Sequence, residues 1–276
     1  MQEIMNAMDI AFPNLGIYLK NVPSGFKLGD FDIYLYGIVI WVGVLAGILM
    51  AERAAKVCGM DPDEIWDFAI WAVVFSVIGA RVYYVIFEWD SYKNDLWSIL
   101  NIRNGGLAIY GAVIGAFITC FVFCKIKKRN PFQLADCGVQ GLILGQIIGR
   151  WGNFFNSEAF GTPTNLPWKL FIAEQYRPIP YTNYEYFHPT FLYESVLNLG
   201  IFLILLYLVK NDFSKRSGNI ALAYLLLYST ARIFVEHFRI DSVLYIHGIP
   251  IAIIVSVCII FLSAIMLIKQ NFLKRT

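Results

Sequence analysis

Seven apolar runs, each close to the length of a membrane-crossing helix, dominate this chain. They cover residues 33–50, 66–87, 107–124, 134–148, 190–209, 220–235 and 249–268. A helix needs roughly 20 mostly apolar residues to cross the hydrocarbon core of a bilayer. With 58% hydrophobic and only 15% charged residues, the chain is more apolar than a water-soluble domain. The pattern predicts an all-α, polytopic membrane helix bundle with seven transmembrane helices, of which the fourth is the shortest.

The distribution of Lys and Arg between the runs predicts the orientation of this bundle. Twelve of these residues follow the first, third, fifth and seventh runs, and eight lie on the opposite side in longer segments. Cytoplasmic connections are enriched in Lys and Arg. We therefore expect the N-terminus outside, the C-terminus inside, and the connection 157–188 on the outer face. Residues 1–276 are expected to form a single transmembrane domain, with an amphipathic lead-in, 1–32, on the membrane surface.

The segment 149–161, which reads GRWGNFFNSEAFG, places several polar groups at the end of the fourth run. Ionisable groups at membrane depth are costly and indicate a functional site by default. Arg150 cannot be deprotonated to lower this cost, and its planar fork of donors suits a phosphate bound through two hydrogen bonds. Together with Asn153 and Glu158, Arg150 predicts a site for a lipid headgroup.

The sixth run carries a polar stripe. Tyr228, Arg232, Glu236 and Arg239 recur at i, i+4, i+8 and i+11, which is one face of a helix. Such a face is expected to point into the bundle rather than at lipid. Glu236 can bridge both arginines as a purely structural pair, or one arginine can keep spare donors for a ligand. Arg81 in the second run can likewise be either a structural residue or a ligand-binding one.

The start of the third run also allows two interpretations. Gly105 and Gly106 can bring backbone N–H groups near an anion at the positive end of a helix, with the hydroxyl of Tyr110 pointing into the same cavity. Alternatively, Gly111 and Gly115 form a small-residue contact that lets two helices approach closely. Both interpretations stay open.

The segment His188 to Glu194 begins a helix, since Pro189 is typical of a first turn. A histidine titrating near neutral pH can move protons, whereas Glu194 can be a structural residue bridged to an arginine. No metal site is predicted, because the cysteines are unaccompanied by histidine and fit packing roles. The basic run 125–129 favours an inner-surface anchor over a nucleic-acid site.

The segment 149–161 resembles the signature of the bacterial prolipoprotein diacylglyceryl transferases, G-R-x-G-N-F-x-N-x-E-x-x-G, without a gap. Three further blocks of that family are similar in the same order: GGLAIYGAVIGA from Gly105, HPTFLYE from His188, and the Arg232-x-x-x-Glu236-x-x-Arg239 spacing. Tyr36-Gly37 and the GARVYY segment around Arg81 are also similar. The resemblance covers residues 34–268, nearly the whole chain.

The resemblance implies transfer of the sn-1,2-diacylglyceryl group from phosphatidylglycerol to the lipobox cysteine of a prolipoprotein, which forms a thioether and releases glycerol 1-phosphate. It implies a multi-pass protein of the bacterial plasma (inner) membrane. Its partners would be phosphatidylglycerol, signal peptides bearing a lipobox cysteine and membrane lipid, without nucleic acid, metal or organic cofactor.

The same resemblance assigns phosphate handling to Arg150 and Arg232. It places Asn153, Glu158 and Gly161 in the functional core and makes Tyr36 and Tyr228 important. With the residues identified above, the catalytic candidates are Arg150, Arg232, Tyr110, Glu158 and Asn153. The phosphatidylglycerol-binding candidates are Arg150, Arg232, Gly105, Gly106, Tyr36, Tyr228, Gly161, Arg239, Glu236 and His188.

Some members of the family have histidine where this chain has Tyr110. A tyrosine accepts a proton only where neighbouring arginines stabilise its phenolate; otherwise it orients the headgroup, and His188, Glu158 or direct thiolate attack provides the route. Two alternatives to the transferase are a secondary transporter and another membrane-embedded phospholipid-processing enzyme. A transporter predicts paired broken helices in two related halves, and the sequence has one such segment.

Overall fold

The computed structural model describes residues 4–5, 8–29, 31–102, 105–241 and 244–271. It has eight α-helices in this part of the chain. They are α1 Leu35–Cys58, α2 Pro62–Phe87, α3 Trp89–Tyr92, α4 Ile109–Lys127, α5 Pro131–Asn156, α6 Thr190–Val209, α7 Asn219–Glu236 and α8 Ile251–Asn271. Apart from the four-residue α3, each lies at one of the seven apolar runs. Five of them, α1, α2, α4, α6 and α8, are long and apolar enough to cross a membrane. A mainly helical, multi-pass membrane protein is thereby confirmed.

Helix boundaries follow local signals in the sequence. Asp61 caps α2 by accepting a hydrogen bond from the backbone amide of Asp63 at 3.1 Å, and Pro62 occupies the first turn. Lys128 ends α4 in the left-handed conformation, with φ of 54°. These signals set where each helix emerges into its connection.

The helix at the fourth run is not the shortest. The run has 15 residues, but α5 has 26 residues and equals α2 in length. Its helical backbone continues through polar residues at both ends, including Arg150 and Asn153. These polar residues interrupt the apolar run without interrupting the helix, so apolar length underestimates helix length here.

The predicted all-α class is incomplete, because the described residues also form nine short β-strands. They are β1 Ile4–Met5, β2 Met8–Phe12, β3 Ile17–Val22, β4 Gly25–Leu28, β5 Phe31–Tyr34, β6 Leu170–Phe171, β7 Tyr186–Phe187, β8 Tyr245–Ile246 and β9 Ile249–Pro250. Two antiparallel sheets have the orders β3-β2-β6-β7 and β1-β4-β5, and β8 and β9 form a hairpin. Strands of two to six residues give too weak a periodic signal to be separated from loops.

The larger sheet joins the N-terminal lead-in to the connection that follows α5. Ala11 in β2 pairs with Phe171 in β6, and Phe171 pairs with Tyr186 in β7. Beneath the sheet lies a cluster of buried apolar side chains. They are Ile10, Phe160, Leu170, Ile172, Phe187 and Phe191. Their burial gives this polar-rich connection a hydrophobic core of its own.

The chain divides into two compact units. The first comprises Met1–Met50 and Val139–Thr276, and the second comprises Ala51–Gly138. In the first unit α1 approaches α5 closely at Gly47. A Cβ added at this residue would lie 2.8 Å from the carbonyl oxygen of Gly141. A second cluster, which includes Ile143, Leu205 and Ile220, packs α5, α6 and α7 together.

In the second unit α2 and α4 pack through glycines. A Cβ added at Gly111 would lie 2.2 Å from the carbonyl oxygen of Gly79, and one added at Gly115 would lie 2.3 Å from that of Phe75. Side chains at these positions would therefore push the two helices apart. This contact favours the packing interpretation of Gly111 and Gly115.

We expect Gly111→Ala to lower the thermal unfolding temperature of the purified protein, whereas Gly138→Ala leaves it unchanged or raises it. Both glycines are helical residues of the second unit, but a Cβ at Gly138 meets no atom within 4 Å. Overpacking costs about 1–3 kcal/mol, and alanine in an open helical position gains up to about 1 kcal/mol. Equal unfolding temperatures for the two variants would contradict the close α2–α4 contact.

Candidate functional site

One buried carboxylate gathers three arginines in the first unit. Glu194, near the start of α6, is hydrogen-bonded to Arg150, near the end of α5, and its side chain is only 3% exposed. Nη1 of Arg232 lies 3.5 Å and Nη1 of Arg239 lies 3.7 Å from Oε2 of Glu194. The hydroxyl of Tyr228 lies 3.5 Å from Oε1. Residues expected to handle phosphate are thus brought together around Glu194.

Two more carboxylates complete this arginine cluster. Nη2 of Arg232 lies 2.7 Å from Oε2 of Glu236, and Arg239 binds both carboxylate oxygens of Asp241 at 2.9 and 2.6 Å. Asp241 is 43% exposed, so water screens its charge. The buried part then holds three guanidinium groups against the carboxylates of Glu194 and Glu236. With Asp241 included, three carboxylates face the three guanidinium groups.

The guanidinium groups are more accessible than the buried carboxylates that hold them. The side chains of Arg150 and Arg232 are 23% and 20% exposed, whereas that of Glu236 is 2% exposed. Each arginine is therefore held by a buried carboxylate while part of its side chain remains exposed. Preorganised donors of this kind suit an anion that arrives from outside the cluster.

The amides of the 149–161 segment hold Glu158 in a turn that follows α5. Oε1 of Glu158 accepts hydrogen bonds from Nδ2 of Asn153 at 2.9 Å and from Nδ2 of Asn156 at 3.4 Å. The backbone amide of Glu158 donates to the carbonyl of Asn153 at 3.1 Å. Ser157 and Ala159 have positive φ of 49° and 54°, so the chain reverses sharply here. Asn153 and Glu158 stabilise this reversal.

Gly161 lies where three segments meet. Its amide donates to the carbonyl of His188 at 2.8 Å, and it forms a β-bridge with Arg239. A Cβ at Gly161 would lie 2.6 Å from the carbonyl oxygen of Phe238 and 2.7 Å from Cγ2 of Thr190. Only glycine fits this position, which ties the loop after α5 to the start of α6 and the end of α7. The resemblance alone gave no physical reason for Gly161.

Tyr36, in the first turn of α1, packs on α5 beside the arginine cluster. A Cβ at Gly152 would lie 2.8 Å from the ring of Tyr36. Gly152 is two residues after Arg150, so its missing side chain makes room for this ring. Tyr36 and Tyr228 thus both belong to the first unit with Arg150.

Arg81, in the second unit, has a structural role. It is 7% exposed, and its five N–H donors reach five backbone carbonyls at 2.8–3.1 Å. The acceptors belong to Ser98, Ile99, Asn101, Gly105 and Gly106. This saturated guanidinium holds the connection before α4 and keeps no donor for a ligand.

Gly105 and Gly106 are shaped by the same contact. Both have positive φ, 84° and 78°, and a Cβ at Gly106 would lie 2.3 Å from Nη1 of Arg81. The amide of Gly105 already donates to the carbonyl of Ile102 at 3.2 Å. An anion at these glycines stays a prediction. Tyr110, in the first turn of α4, is 52% exposed, and its ring centroid lies 6.1 Å from that of Tyr83.

His188 belongs to a short hydrogen-bonded chain. Nε1 of Trp168 donates to the hydroxyl of Tyr193 at 2.6 Å, and that hydroxyl lies 3.0 Å from Nδ1 of His188. Because Tyr193 accepts from Trp168, its own proton is available to Nδ1. Burial lowers the pKa of His188 below its usual value. A neutral histidine with Nδ1 occupied is a poor candidate for a base.

Acidification should destabilise the protein through His188. Folding lowers the pKa of His188. Below about pH 6.5 the unfolded chain therefore binds a proton at this residue that the folded chain does not bind. The free energy of unfolding consequently falls as the pH falls. We expect the unfolding temperature of the wild type to drop more between pH 7 and pH 5 than that of His188→Asn, whose side-chain oxygen can replace Nδ1. Parallel curves for the two proteins would argue against a buried neutral histidine.

Sequence reasoning did not include Glu194 among the candidate site residues, although it lies at the centre of the cluster. The available signal was a carboxylate inside the fifth apolar run, which requires a buried cationic partner. Trp168 and Tyr193 were missed as well. Aromatic residues are abundant in this chain, and nothing local distinguishes a hydrogen-bonded pair.

The fold and the cluster define an integral membrane protein in which arginines from the ends of α5 and α7 surround a carboxylate near the start of α6. The family described as prolipoprotein diacylglyceryl transferase matches residues 23–269. The chain belongs to this family. This family membership argues against the two alternatives, a secondary transporter and another phospholipid-processing enzyme.

Several relatives cover most of the chain. The phosphatidylglycerol–prolipoprotein diacylglyceryl transferase of Finegoldia magna is 45% identical over 246 residues, which cover 89% of this chain and 94% of that protein. The protein of the same name from Acaryochloris marina is 43% identical over 260 residues, 94% of both chains. That of Synechocystis sp. is 44% identical over 245 residues, 87% of this chain and 86% of its own.

Proposed function

We propose that this protein transfers the sn-1,2-diacylglyceryl group of phosphatidylglycerol to the lipobox cysteine of prolipoproteins. In this reaction the cysteine sulfur forms a bond to the glyceryl carbon, and the bond from that carbon to the phosphate oxygen breaks. Glycerol 1-phosphate leaves with the electron pair of the broken bond, and the thiol proton passes to a base or to solvent. The observation that carries the proposal is the cluster of Arg150, Arg232 and Arg239 around Glu194.

The arginine cluster suits the charge that develops in this reaction. Negative charge accumulates on the departing phosphate as the carbon–oxygen bond breaks. Guanidinium groups that are already positioned stabilise that charge without reorganising. We assign the main phosphate contacts to Arg150 and Arg232, whose side chains are partly exposed, and a supporting contact to Arg239. Asn153, Glu158 and Gly161 keep the end of α5 in place.

The proton route has fewer candidates than the sequence suggested. Nδ1 of His188 faces Tyr193, and Glu158 accepts from two asparagine amides. These contacts favour structural roles for both residues. Tyr110 and direct attack by a thiolate, which forms from cysteine near pH 8.5, are the remaining routes.

Tyr110→Phe separates these two routes. Loss of the hydroxyl should lower the transfer rate by about 10²–10⁴-fold if Tyr110 accepts the proton, and it leaves the ring contact with Tyr83 in place. Tyr83→Phe, which removes a neighbouring hydroxyl from the same ring pair, is the matched control. Transfer at the wild-type rate by Tyr110→Phe would exclude Tyr110 as the base.

We further propose that all seven long helices cross the bacterial inner membrane, with the N-terminus outside and the C-terminus inside, as one catalytic domain. The excess of Lys and Arg after the odd-numbered helices supports this orientation. Segment 1–32 then lies at the outer surface. A fluorescent protein fused to the C-terminus should fluoresce in cells, and an export-dependent reporter at the same place should stay inactive; the reverse pattern would invert the topology.

Purified protein tests the proposed reaction directly. In detergent, with phosphatidylglycerol and a lipobox peptide, the peptide should gain the mass of one diacylglyceryl unit, and glycerol 1-phosphate should appear in equal amount. A peptide with serine in place of the cysteine is the control and should stay unmodified. If neither product forms when both substrates are present, the proposed function is wrong.

A further inference from the structure

Asn198 is a buried amide without a protein partner. It lies on α6 and is only 1% exposed. Within the described part of the chain, neither its Oδ1 nor its Nδ2 has a hydrogen-bond partner. Native proteins rarely leave both polar atoms of a buried amide unsatisfied, because each gave up hydrogen bonds to water on folding. An amide retained under these conditions indicates a polar group that enters the bundle from outside the protein chain.

Along the buried face of α6, Glu194 and Ser195 before Asn198 are polar and have partners in the protein, whereas Ile201 and Leu205 after it are apolar. Glu194 lies one helical turn earlier on the same buried face of α6, and Ser195 between them donates to the carbonyl of Ile147 at 3.0 Å. On α7 the ring of Tyr228 stacks on that of Tyr224, whose hydroxyl donates to Gln146 at 3.1 Å. Polar side chains therefore continue into the bundle beyond the arginines. Asn198 stands out among them by its unused donors and acceptor.

We propose that Asn198 binds a hydroxyl of the glycerol headgroup of phosphatidylglycerol and thereby selects this lipid. This inference rests on the proposed function. One helical turn, roughly 5.4 Å, separates Asn198 from Glu194, which holds the phosphate-binding arginines. The headgroup glycerol extends three carbons beyond the phosphate, which suits this separation. A hydroxyl both donates and accepts, so it can satisfy Oδ1 and Nδ2 of one amide.

Charge also favours an uncharged polyol at this position. The three guanidinium groups of the arginine cluster are already paired with the carboxylates of Glu194, Glu236 and Asp241. The ammonium of an ethanolamine headgroup would then face three guanidinium groups without a free carboxylate. A glycerol headgroup brings no such repulsion, and its hydroxyl can satisfy both Oδ1 and Nδ2 of Asn198, whereas an ammonium group can only donate to Oδ1.

Two lipids and two variants test this role. Phosphatidylpropanol has the same phosphodiester and acyl chains as phosphatidylglycerol but lacks both headgroup hydroxyls. The wild type should transfer from phosphatidylglycerol with a kcat/KM about tenfold to a hundredfold higher than from phosphatidylpropanol. Asn198→Leu, of similar size and without polar atoms, should bring this ratio close to one by slowing only the reaction of phosphatidylglycerol. Asn198→Ala should do the same if the leucine variant does not fold.

Ser195→Ala is the matched control, since Ser195 is a buried neighbour whose hydrogen bond stays within the protein. It should leave the ratio of the two lipids unchanged. A wild-type ratio retained by Asn198→Leu or Asn198→Ala would overturn the inference and indicate that the amide holds only a trapped water. A wild type that does not distinguish the two lipids would overturn it as well. The absence of transfer from either lipid would instead refute the proposed function.

Discussion

Replacing Arg150 with alanine is expected to abolish measurable transfer while the protein still folds and enters the membrane. Loss of one preorganised donor to a developing oxyanion costs on the order of 10²–10³ in rate, and Arg150 supplies more than one. The side chain also neutralises Glu194. Its removal therefore affects both the phosphate and the carboxylate that positions Arg232. Transfer to a lipobox peptide in detergent measures the loss, and membrane fractionation checks insertion.

Arg150→Lys separates charge from geometry at the same position. Lysine keeps the positive charge but cannot present two parallel donors, so it should recover little activity. The same change at Arg129, which forms an exposed ion pair with Glu64 in the second unit, should have no effect on transfer. A lysine variant at Arg150 that works at near-wild-type speed would remove the claim of bidentate phosphate binding.

Glu194→Gln should impair both stability and catalysis. Glutamine keeps the shape of the side chain but removes the charge that Arg150, Arg232 and Arg239 share. Breaking a buried ion pair from one side costs about 3–5 kcal/mol, because the remaining charge stays buried without compensation. We expect a lower unfolding temperature and a fall of about 10²-fold or more in kcat as the guanidinium groups separate.

Asp241→Asn is the control for Glu194→Gln, since Asp241 also pairs with Arg239 but is largely exposed. An exposed pair contributes about 0–1 kcal/mol, so this variant should stay close to the wild type. A Glu194→Gln protein with normal kcat and a lower KM for phosphatidylglycerol would contradict the positioning role of Glu194. It would mean that the carboxylate competes with the lipid phosphate and does not position the arginines.

The positions of the long helices could be predicted from the sequence because bilayer thickness imposes a minimum apolar length. The stripe that contains Arg232 and Glu236 could be predicted too, since a charge in an apolar helix must find a partner. The sequence analysis also allowed Glu194 to be bridged to an arginine, which is confirmed, but it could not say which arginines. Glu194 is 44 residues from Arg150 and 38 from Arg232 along the chain, and no local pattern encodes contacts at that separation.

Arg81 illustrates the opposite error. Its sequence context is the same as that of a functional arginine, a charge within an apolar run, yet its five acceptors are backbone carbonyls 17 to 25 residues away. Backbone carbonyls leave no side-chain signature. The N-terminal strands were missed because each has only two to six residues, too few for a clear periodic signal. Of these strands, β2 pairs with the adjacent β3 and, at Ala11, with β6 after α5.

The pairing of Arg150 with Glu194 has a consequence for how the protein is made. During synthesis α5 leaves the ribosome before α6, so Arg150 has no ion-pair partner until Glu194 is synthesised. An unpaired arginine raises the free energy of inserting a helix, by about 2.5–3.5 kcal/mol at the helix centre and by less toward an end such as that of Arg150. In addition, α5 is not among the described helices that are apolar enough on their own. Biogenesis should therefore require α5 and α6 to integrate as a pair, and a chain truncated before Thr190 should be degraded or left at the translocon.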